Sequence, residues 1–116
     1  MTPRHAPRAD LVRSAALFAA LGDPTRLELV MRLCADGSQS ITSLTRGLTL
    51  SRQAVTKHLR VLGRAGLARS AAAGRERHWS AQAERLAIAR RYLDKVSATW
   101  DDRLAALGRH LASGDG

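Results

Sequence analysis

The stretch LSRQAVTKHLRVLGRAGL, residues 50–67, decides the fold because its polar and apolar side chains separate onto opposite faces of one helix. At about 100° per residue, Val55, Leu59 and Leu62 share one narrow sector. The opposite side collects residue types that hydrogen-bond phosphates and base edges, namely Arg52, Gln53, Thr56, Lys57 and Arg60. The pattern predicts a DNA-recognition helix, with an ordinary solvated helix face as the alternative.

The ends of this predicted helix carry their own signals. Ser51 stands where a hydroxyl can accept hydrogen bonds from the free amides of the first turn. Gly63 and Gly66 stand where the helix is expected to stop. The prediction is therefore a short helix bracketed by Ser51 and these two glycines.

Charge points to a polyanionic partner. The 116 residues suffice for one domain with a modest core. They include 19 Lys and Arg, of which 17 are Arg, against 10 Asp and Glu, for a net charge of +9. Such a balance favours a polyanionic partner, which the recognition helix identifies as double-stranded DNA, although genomic base bias can also enrich Arg and Ala.

The sequence predicts a cytoplasmic protein without a membrane partner. No apolar run approaches the roughly 18 residues that a transmembrane helix needs, and residues 1–10 lack the apolar core of a signal peptide. Cys34 is the only cysteine, so no disulfide can form within the chain, as expected in a reducing compartment. We expect Cys34 to be a small core residue rather than a redox or metal site.

Helical periodicity predicts three further helices before the recognition helix. Helix one runs from Leu11 to Leu21 with an apolar stripe of Leu11, Ala15, Phe18 and Leu21. Helix two starts after Asp23, ends near residues 36–37, and carries a buried stripe of Leu27, Val30, Met31 and Cys34. A short helix opened by Ser40 or Thr42 contains Leu44 and leads through GLTLS into the recognition helix. Two helices joined by such a short turn form a helix-turn-helix.

A basic hairpin is predicted after the recognition helix. In residues 67–81, LARSAAAGRERHWSA, Gly74 can form the turn between two short strands. Arg69, Arg75 and Arg77 lie along these strands, so the hairpin has the character of a DNA-contacting wing, and Trp79 is expected to pack beneath it.

The last predicted element is one long helix from Gln82 to about His110. Apolar residues recur along this helix at heptad spacing, and the stripe they form needs a partner surface. The simplest partner is the same helix of a second copy, with helix one joining in. Packing onto the chain's own winged domain is the alternative. The predicted dimer interface comprises Leu11, Leu86, Leu93, Val96, Trp100, Leu104 and Leu107. The predicted organisation is a flexible arm at 1–9, a winged domain at 10–112 with its dimerisation helix at about 82–110, and a flexible tail at 113–116.

The predicted fold is mainly α with a small β-hairpin: a winged helix-turn-helix with a long C-terminal dimerisation helix. From about residue 15 to residue 79, three segments resemble in order and spacing the ArsR family of bacterial winged-helix repressors. These segments are ALFAALGDPTRLELVMRL, LTLSRQAVTKHLRVLGRAGL and AAAGRERHW. The most specific parts are LGDPTR at 21–26 and the pattern S-x-x-x-V-T-x-H-L-x-x-L-x-x-A-G-L at 51–67.

The resemblance implies a homodimer that binds an inverted-repeat operator and represses transcription until an effector weakens the complex. The family's DNA-contacting helix corresponds to Ser51, Arg52, Gln53, Thr56, Lys57 and His58, and its wing to Arg75 and Arg77. His58 lies at the border of the two helix faces, so packing or backbone capping is an equal alternative to a DNA contact.

The chain departs from the metal-sensing branches of the family, so no metal or other cofactor is expected. Ser40 and Thr42 occupy the two cysteine positions of the metal box, and hydroxyls are poor ligands for soft ions. Asp94, Asp101, Asp102 and His110 show no matching zinc spacing, and His5, His58 and His78 are scattered. The alternative is a metal-responsive sensor whose site combines His110, Asp101 or Asp102 from two copies. The identity of any small-molecule effector stays open.

Other function classes fit the sequence less well. An enzyme is not expected, because no nucleophile elbow, phosphate loop or paired-carboxylate arrangement occurs. A non-specific nucleoid or RNA-binding protein would use the same charge, but aromatic residues for base stacking make up only 3% of the chain. A protein-interaction module recruiting a factor through its long helix is the remaining alternative.

Overall fold

The computed structural model describes residues 8–113, which form a winged helix-turn-helix with a long final helix. The elements in chain order are α1 (Arg8–Leu21), α2 (Pro24–Asp36), β1 (Gln39–Ser40), α3 (Ile41–Thr45), α4 (Arg52–Arg64), β2 (Ala68–Ala73), β3 (Glu76–Ala81) and α5 (Ala83–Ser113). The predicted fold class is confirmed. Residues 8, 9 and 113 of the predicted arm and tail are helical, and the rest of both segments lies outside the described residues.

Side chains before each helix fix where it begins. The Asp23 carboxylate accepts a hydrogen bond from the Arg26 amide at 3.0 Å and caps α2, with Pro24 as the first helical residue. Of the two candidates for α3, Ser40 is the cap, because its hydroxyl accepts from the Ser43 amide at 3.1 Å. Ser51 caps α4 in the same way through the Ala54 amide, as predicted.

Helix α4 ends at Arg64, and the glycine that terminates it is Gly66 rather than Gly63. Gly66 has a φ of +77°, the Leu67 amide donates to the Leu62 carbonyl, and the Gly66 amide donates to the Gly63 carbonyl. These bonds form a Schellman motif, which satisfies the last carbonyls of the helix. Gly63 lies inside α4, and the Trp79 ring packs 3.5 Å from the point that a Cβ there would occupy.

The wing is the predicted hairpin with one strand added. β2 and β3 pair antiparallel around Gly74, and β1 pairs with the other edge of β3 through Gln39 opposite Trp79. Sequence reasoning missed β1 because a strand of two residues shows no alternation of polar and apolar side chains. The third strand joins the wing to the start of the helix-turn-helix.

The core lies between α1, α2, α3, α4 and the sheet. The predicted apolar face of α4 is confirmed, because Val55, Leu59 and Leu62 are fully buried. Trp79 is 9% exposed, which confirms that it packs under the wing. Further core residues are Leu17, Leu29, Val30, Leu33, Leu44 and Leu67.

The buried stripe predicted for α2 is right for Val30 and wrong for its other three residues. Leu29, Val30 and Leu33 face the core, whereas Leu27 and Met31 are 47% and 65% exposed and Cys34 is exposed. Both stripes satisfy helical spacing, and the contacts of α2 with α1, α4 and β3 decide between them. Cys34 is therefore a surface thiol and not the core residue that the sequence predicted.

The stripe predicted for α1 is displaced as well. Ser14, Leu17 and Ala20 are buried, and Ala15 is exposed. The predicted Leu11, Phe18 and Leu21 are only partly buried, at the edge of the same face. The reason is that α1 packs against both α2 and α5, so its buried face lies between two neighbouring helices.

Helix α5 packs on the domain only through its first turns. Leu86 and Ile88 contact the core and Ala89 is buried, whereas the described residues beyond Tyr92 are all exposed. The exposed apolar side chains of this segment are Leu93, Val96, Trp100, Leu104, Leu107 and Leu111. Among the described residues, none of the helices combines the length and the hydropathy that crossing a bilayer requires.

The Schellman motif after α4 gives a first testable prediction. Gly66→Ala should lower the free energy of unfolding by about 1–2 kcal/mol, because a left-handed φ is costly for alanine. A Cβ at this position would also lie 2.9 Å from the Arg85 side chain. The matched control is Gly108→Ala, which sits in open space inside α5 and should raise stability by up to about 1 kcal/mol. Urea unfolding followed by circular dichroism measures both, and equal responses would contradict the assignment.

Candidate nucleic-acid interface

The exposed face of α4 carries most of the side chains predicted to bind DNA. Arg52, Gln53, Lys57 and Arg60 are exposed. Gln53, Lys57 and Arg60 lie opposite the buried face of the helix, whereas Arg52 lies in its first turn on the side of that face. Thr56 is half-buried, and its hydroxyl donates to the Arg52 carbonyl at 2.8 Å. Four donors of long reach thus share one rigid surface.

The first residues of α4 add amide donors to this surface. Ser51 is exposed and its hydroxyl already accepts from the Ala54 amide. The N-terminus of a helix carries partial positive charge and free N–H groups, which suit a phosphate oxygen. Ser51 therefore fixes the geometry of the helix start.

Arg32 is a supporting residue that the sequence reasoning missed. Its guanidinium donates to the Leu44 carbonyl at 2.9 Å and to the Arg46 carbonyl at 2.7 Å, and it forms an ion pair with Glu28. These bonds tie α2 to the end of α3, where the chain turns toward α4. The only signal in the sequence was the position of Arg32 on α2. Its acceptors are backbone carbonyls, which every residue has, so residue types do not reveal them.

The wing presents a second set of cations. Arg75 in the turn and Arg77 on β3 are exposed, and Arg69 on β2 is exposed as well. The Arg77 guanidinium donates to the Ser70 hydroxyl at 3.3 Å across the hairpin, which holds it along the strand. Arg75 is exposed beside the Gly74 turn, as a side chain reaching for a phosphate requires.

His58 lies at the edge of this surface and contacts α2. Its Nδ1 is 3.5 Å from an Arg26 guanidinium nitrogen and 3.8 Å from the Asp23 carboxylate, and its side chain is 25% exposed. The Arg26 amide that donates to Asp23 is the main reason why the pKa of this carboxyl lies below its ordinary value of 3.8. The neighbouring charges of His58 and Arg26 act in the same direction, against partial desolvation.

Metal-ligating residues do not gather within residues 8–113, where no group of three or more His, Cys, Asp or Glu side chains comes together. The Ser40 hydroxyl is engaged as the cap of α3, and Thr42 is exposed. Asp94, Asp101, Asp102 and His110 lie exposed along α5. His5 lies outside the described residues.

The residues predicted for a dimer interface divide into two groups. Leu86 packs against the core of its own chain and Leu11 is partly buried on α1. Leu93, Val96, Trp100, Leu104 and Leu107 are exposed along α5, at 49–64% of their accessible surface. The same helix that completes the core at its start thus presents an apolar stripe farther on.

Comparisons with known proteins agree with this geometry. The model of the family described as "Bacterial regulatory protein, arsR family" matches residues 23–70. An ArsR-like transcriptional regulator from Rhodococcus sp. RHA1 is 40% identical, with a TM-score of 0.73 over 87% of this chain and 94% of that one. A structure described as a possible transcriptional regulator for arsenical resistance is 35% identical, with a TM-score of 0.67 over 78% and 93% of the two chains.

A curated relative gives the same class of protein. An uncharacterized HTH-type transcriptional regulator of Methanocaldococcus jannaschii is 31% identical over 58 residues, which are half of this chain. The chain spans 65% of the length of that relative. The winged fold and its basic helix thus define a DNA-binding transcriptional regulator. The chain belongs to the ArsR family of these regulators.

The cap of α2 gives a prediction on pH. Because the folded-state pKa of Asp23 is lowered, its charge stabilises the fold above its ordinary pKa of 3.8, and this stabilisation is lost as the pH falls through the folded value. Asp23→Asn keeps a capping oxygen but removes the charge. Urea unfolding from pH 6 to pH 2 should therefore show a deficit of the variant that shrinks toward acid. A deficit that is constant across this range would contradict the role of the charge.

Proposed function

We propose that this regulator is a homodimeric repressor that binds an inverted-repeat operator, with α4 in the major groove and the wing on the flanking backbone. One observation carries the proposal: the apolar face of α4 is fully buried, so its Arg, Gln and Lys side chains have to face outward together. Pre-positioned donors of these types suit base edges and phosphates. Repression is inferred from the resemblance to the family's repressors.

The proposed DNA contacts divide by chemistry. Gln53 and Thr56 read base edges, because an amide pairs with adenine and a methyl group with thymine. The exposed cations of α4 and the wing bind phosphates, which position the protein without reading sequence. The residues of this group are Arg52, Lys57, Arg60, Arg75 and Arg77, with Ser51 at the helix start. We give His58 a supporting role at the edge, because α2 contacts it.

The proposed dimer is built on α5. Its 31 residues extend about 46 Å at 1.5 Å per residue, which is more than the domain covers. Exposed leucines and Trp100 at heptad spacing would lose water contact against the same helix of a second copy. Leu11 joins from α1, and Leu86 supports the stripe from the core side. A two-fold dimer presents two recognition helices to two half-sites.

Other readings of the same surface are outcomes of the experiments below. A non-specific nucleoid or RNA-binding protein would use the charge of +9 without preferring one duplex sequence. A metal-responsive sensor would need ligands from two copies of α5, and zinc titration that lowers operator affinity would reveal it. We propose cytoplasmic action, on chromosomal DNA.

Base readout gives the first test. On an operator recovered by selection from random duplexes, Gln53→Ala should weaken binding by about 1–3 kcal/mol and leave random-sequence binding nearly unchanged. Arg75→Ala is the matched control, because loss of a phosphate contact weakens binding to both DNAs alike. Mobility shifts at one fixed salt concentration compare the variants. Equal losses for Gln53→Ala on both duplexes would remove this residue from base readout.

The stripe on α5 gives the second test. Leu93→Glu or Trp100→Asp would place a charge in the proposed interface and should give monomers with a large loss of operator affinity. Ala98→Glu is the control, because it adds the same charge on an exposed position about 140° round the helix from Leu93, and it should stay dimeric. Sedimentation at micromolar concentration decides the state. A wild-type monomer, or dimers from all variants, would refute the interface.

A further inference from the structure

The Arg26 side chain joins three helices at one point. Its Nε donates to the Ala20 carbonyl at 2.5 Å, and one terminal nitrogen donates to the Ala19 carbonyl at 3.4 Å. Both acceptors belong to the last turn of α1, where carbonyls have no partner within the helix. Since Arg26 itself lies in the first turn of α2, it fixes the angle between these two helices.

The same guanidinium also reaches the recognition helix. Its second terminal nitrogen lies 3.5 Å from Nδ1 of His58, which is on the side of α4 next to α2. The contact is half-buried, with 25% of the His58 side chain exposed. Arg26 therefore connects α1, which packs against α5, with the helix that carries the DNA-binding face.

We propose that Arg26 is a positioning residue for DNA binding, which sets the orientation of α4 relative to α1 through the neutral ring of His58. The inference rests on the proposed function and deepens it. In the proposed dimer α1 and α5 form the base, so the link between Arg26 and His58 sets where each recognition helix lies relative to that base. Arg26 acts without touching DNA. Its planar fork suits the task, because it serves two carbonyls and one imidazole at once.

The link depends on the protonation of His58. A neutral imidazole offers one nitrogen as an acceptor, so Nδ1 can accept from Arg26. A protonated ring has two donors and no acceptor; it repels Arg26 and pairs with the Asp23 carboxylate, 3.8 Å away. Arg26 on α2 and Asp23, the cap of α2, are the charged side chains in contact with His58. The neighbouring residues at the end of α1, Ala19 and Ala20, are uncharged. Acid therefore exchanges one α2 partner of the recognition helix for the other.

Operator affinity of four variants and one control variant at two pH values tests the link. At pH 8, Arg26→Lys should lower operator affinity about tenfold, because lysine keeps the charge but loses the fork. His58→Leu should lower it by several-fold, and His58→Asn should restore it, since the amide oxygen accepts in place of Nδ1. The double variant with Arg26→Lys and His58→Leu should lose less binding free energy than the sum of the two single losses, as expected for residues in contact. Arg109→Lys, on α5, is the control and should change nothing.

At an acidic pH that protonates the His58 ring, Nδ1 cannot accept, so the non-additivity should disappear. A residue with a merely structural role would lower affinity at both pH values alike. Fluorescence anisotropy at fixed ionic strength measures all of these, and thermal unfolding checks that each variant is folded.

Failures of the two proposals are distinguishable. If the wild type prefers its operator over random duplex but Arg26→Lys binds unchanged, or the two substitutions are additive at pH 8, the inference is wrong and the proposed function stands. If the wild type shows no preference, the proposed function is wrong. The link is then decided by amide hydrogen exchange of α4 in the free protein at pH 8. Arg26→Lys and His58→Leu should speed exchange and His58→Asn should not; unchanged exchange overturns the link.

Discussion

The burial of one face of α4 is the constraint on which the rest of the structure depends. Val55, Leu59 and Leu62 are fully buried, so the helix has one rotation about its axis that keeps them from water. That rotation turns every long polar side chain of the helix outward. A basic, exposed and rigid surface is thus a consequence of core packing, and DNA recognition uses what the core has fixed.

Around α4, the neighbouring elements hold its ends and its orientation. Ser51 fixes the start, the Schellman motif at Gly66 fixes the end, and Trp79 packs against the helix from the sheet. Two arginines of α2 complete the support: Arg32 holds the end of α3 and Arg26 meets His58. Because these bonds go mainly to backbone carbonyls, α2 is a scaffold whose polar residues serve structure as much as solubility.

The sequence predicted the elements that carry the candidate site, α4 and the wing, well where local and tertiary signals agree. The periodicity of α4, its cap at Ser51 and the turn glycines Gly66 and Gly74 all agree with the structure, whereas Gly63 lies inside the helix. Prediction failed for α2, where two apolar stripes fit one helix and only its packing partners choose between them, which is why Cys34 is exposed. It failed for β1 because two residues carry no pattern. The roles of Arg26 and Arg32 could not be predicted, since carbonyl acceptors are invisible in a sequence.

The central claim is that two copies of α4, held at a fixed separation, read one operator. Hydroxyl-radical footprinting on the selected operator tests it most directly. Two protected patches on one face of the duplex, related by two-fold symmetry and separated by about 10–10.5 base pairs or a multiple of this, are the predicted result. Uniform protection without symmetry, which neutralised phosphates alone would give, would contradict the claim.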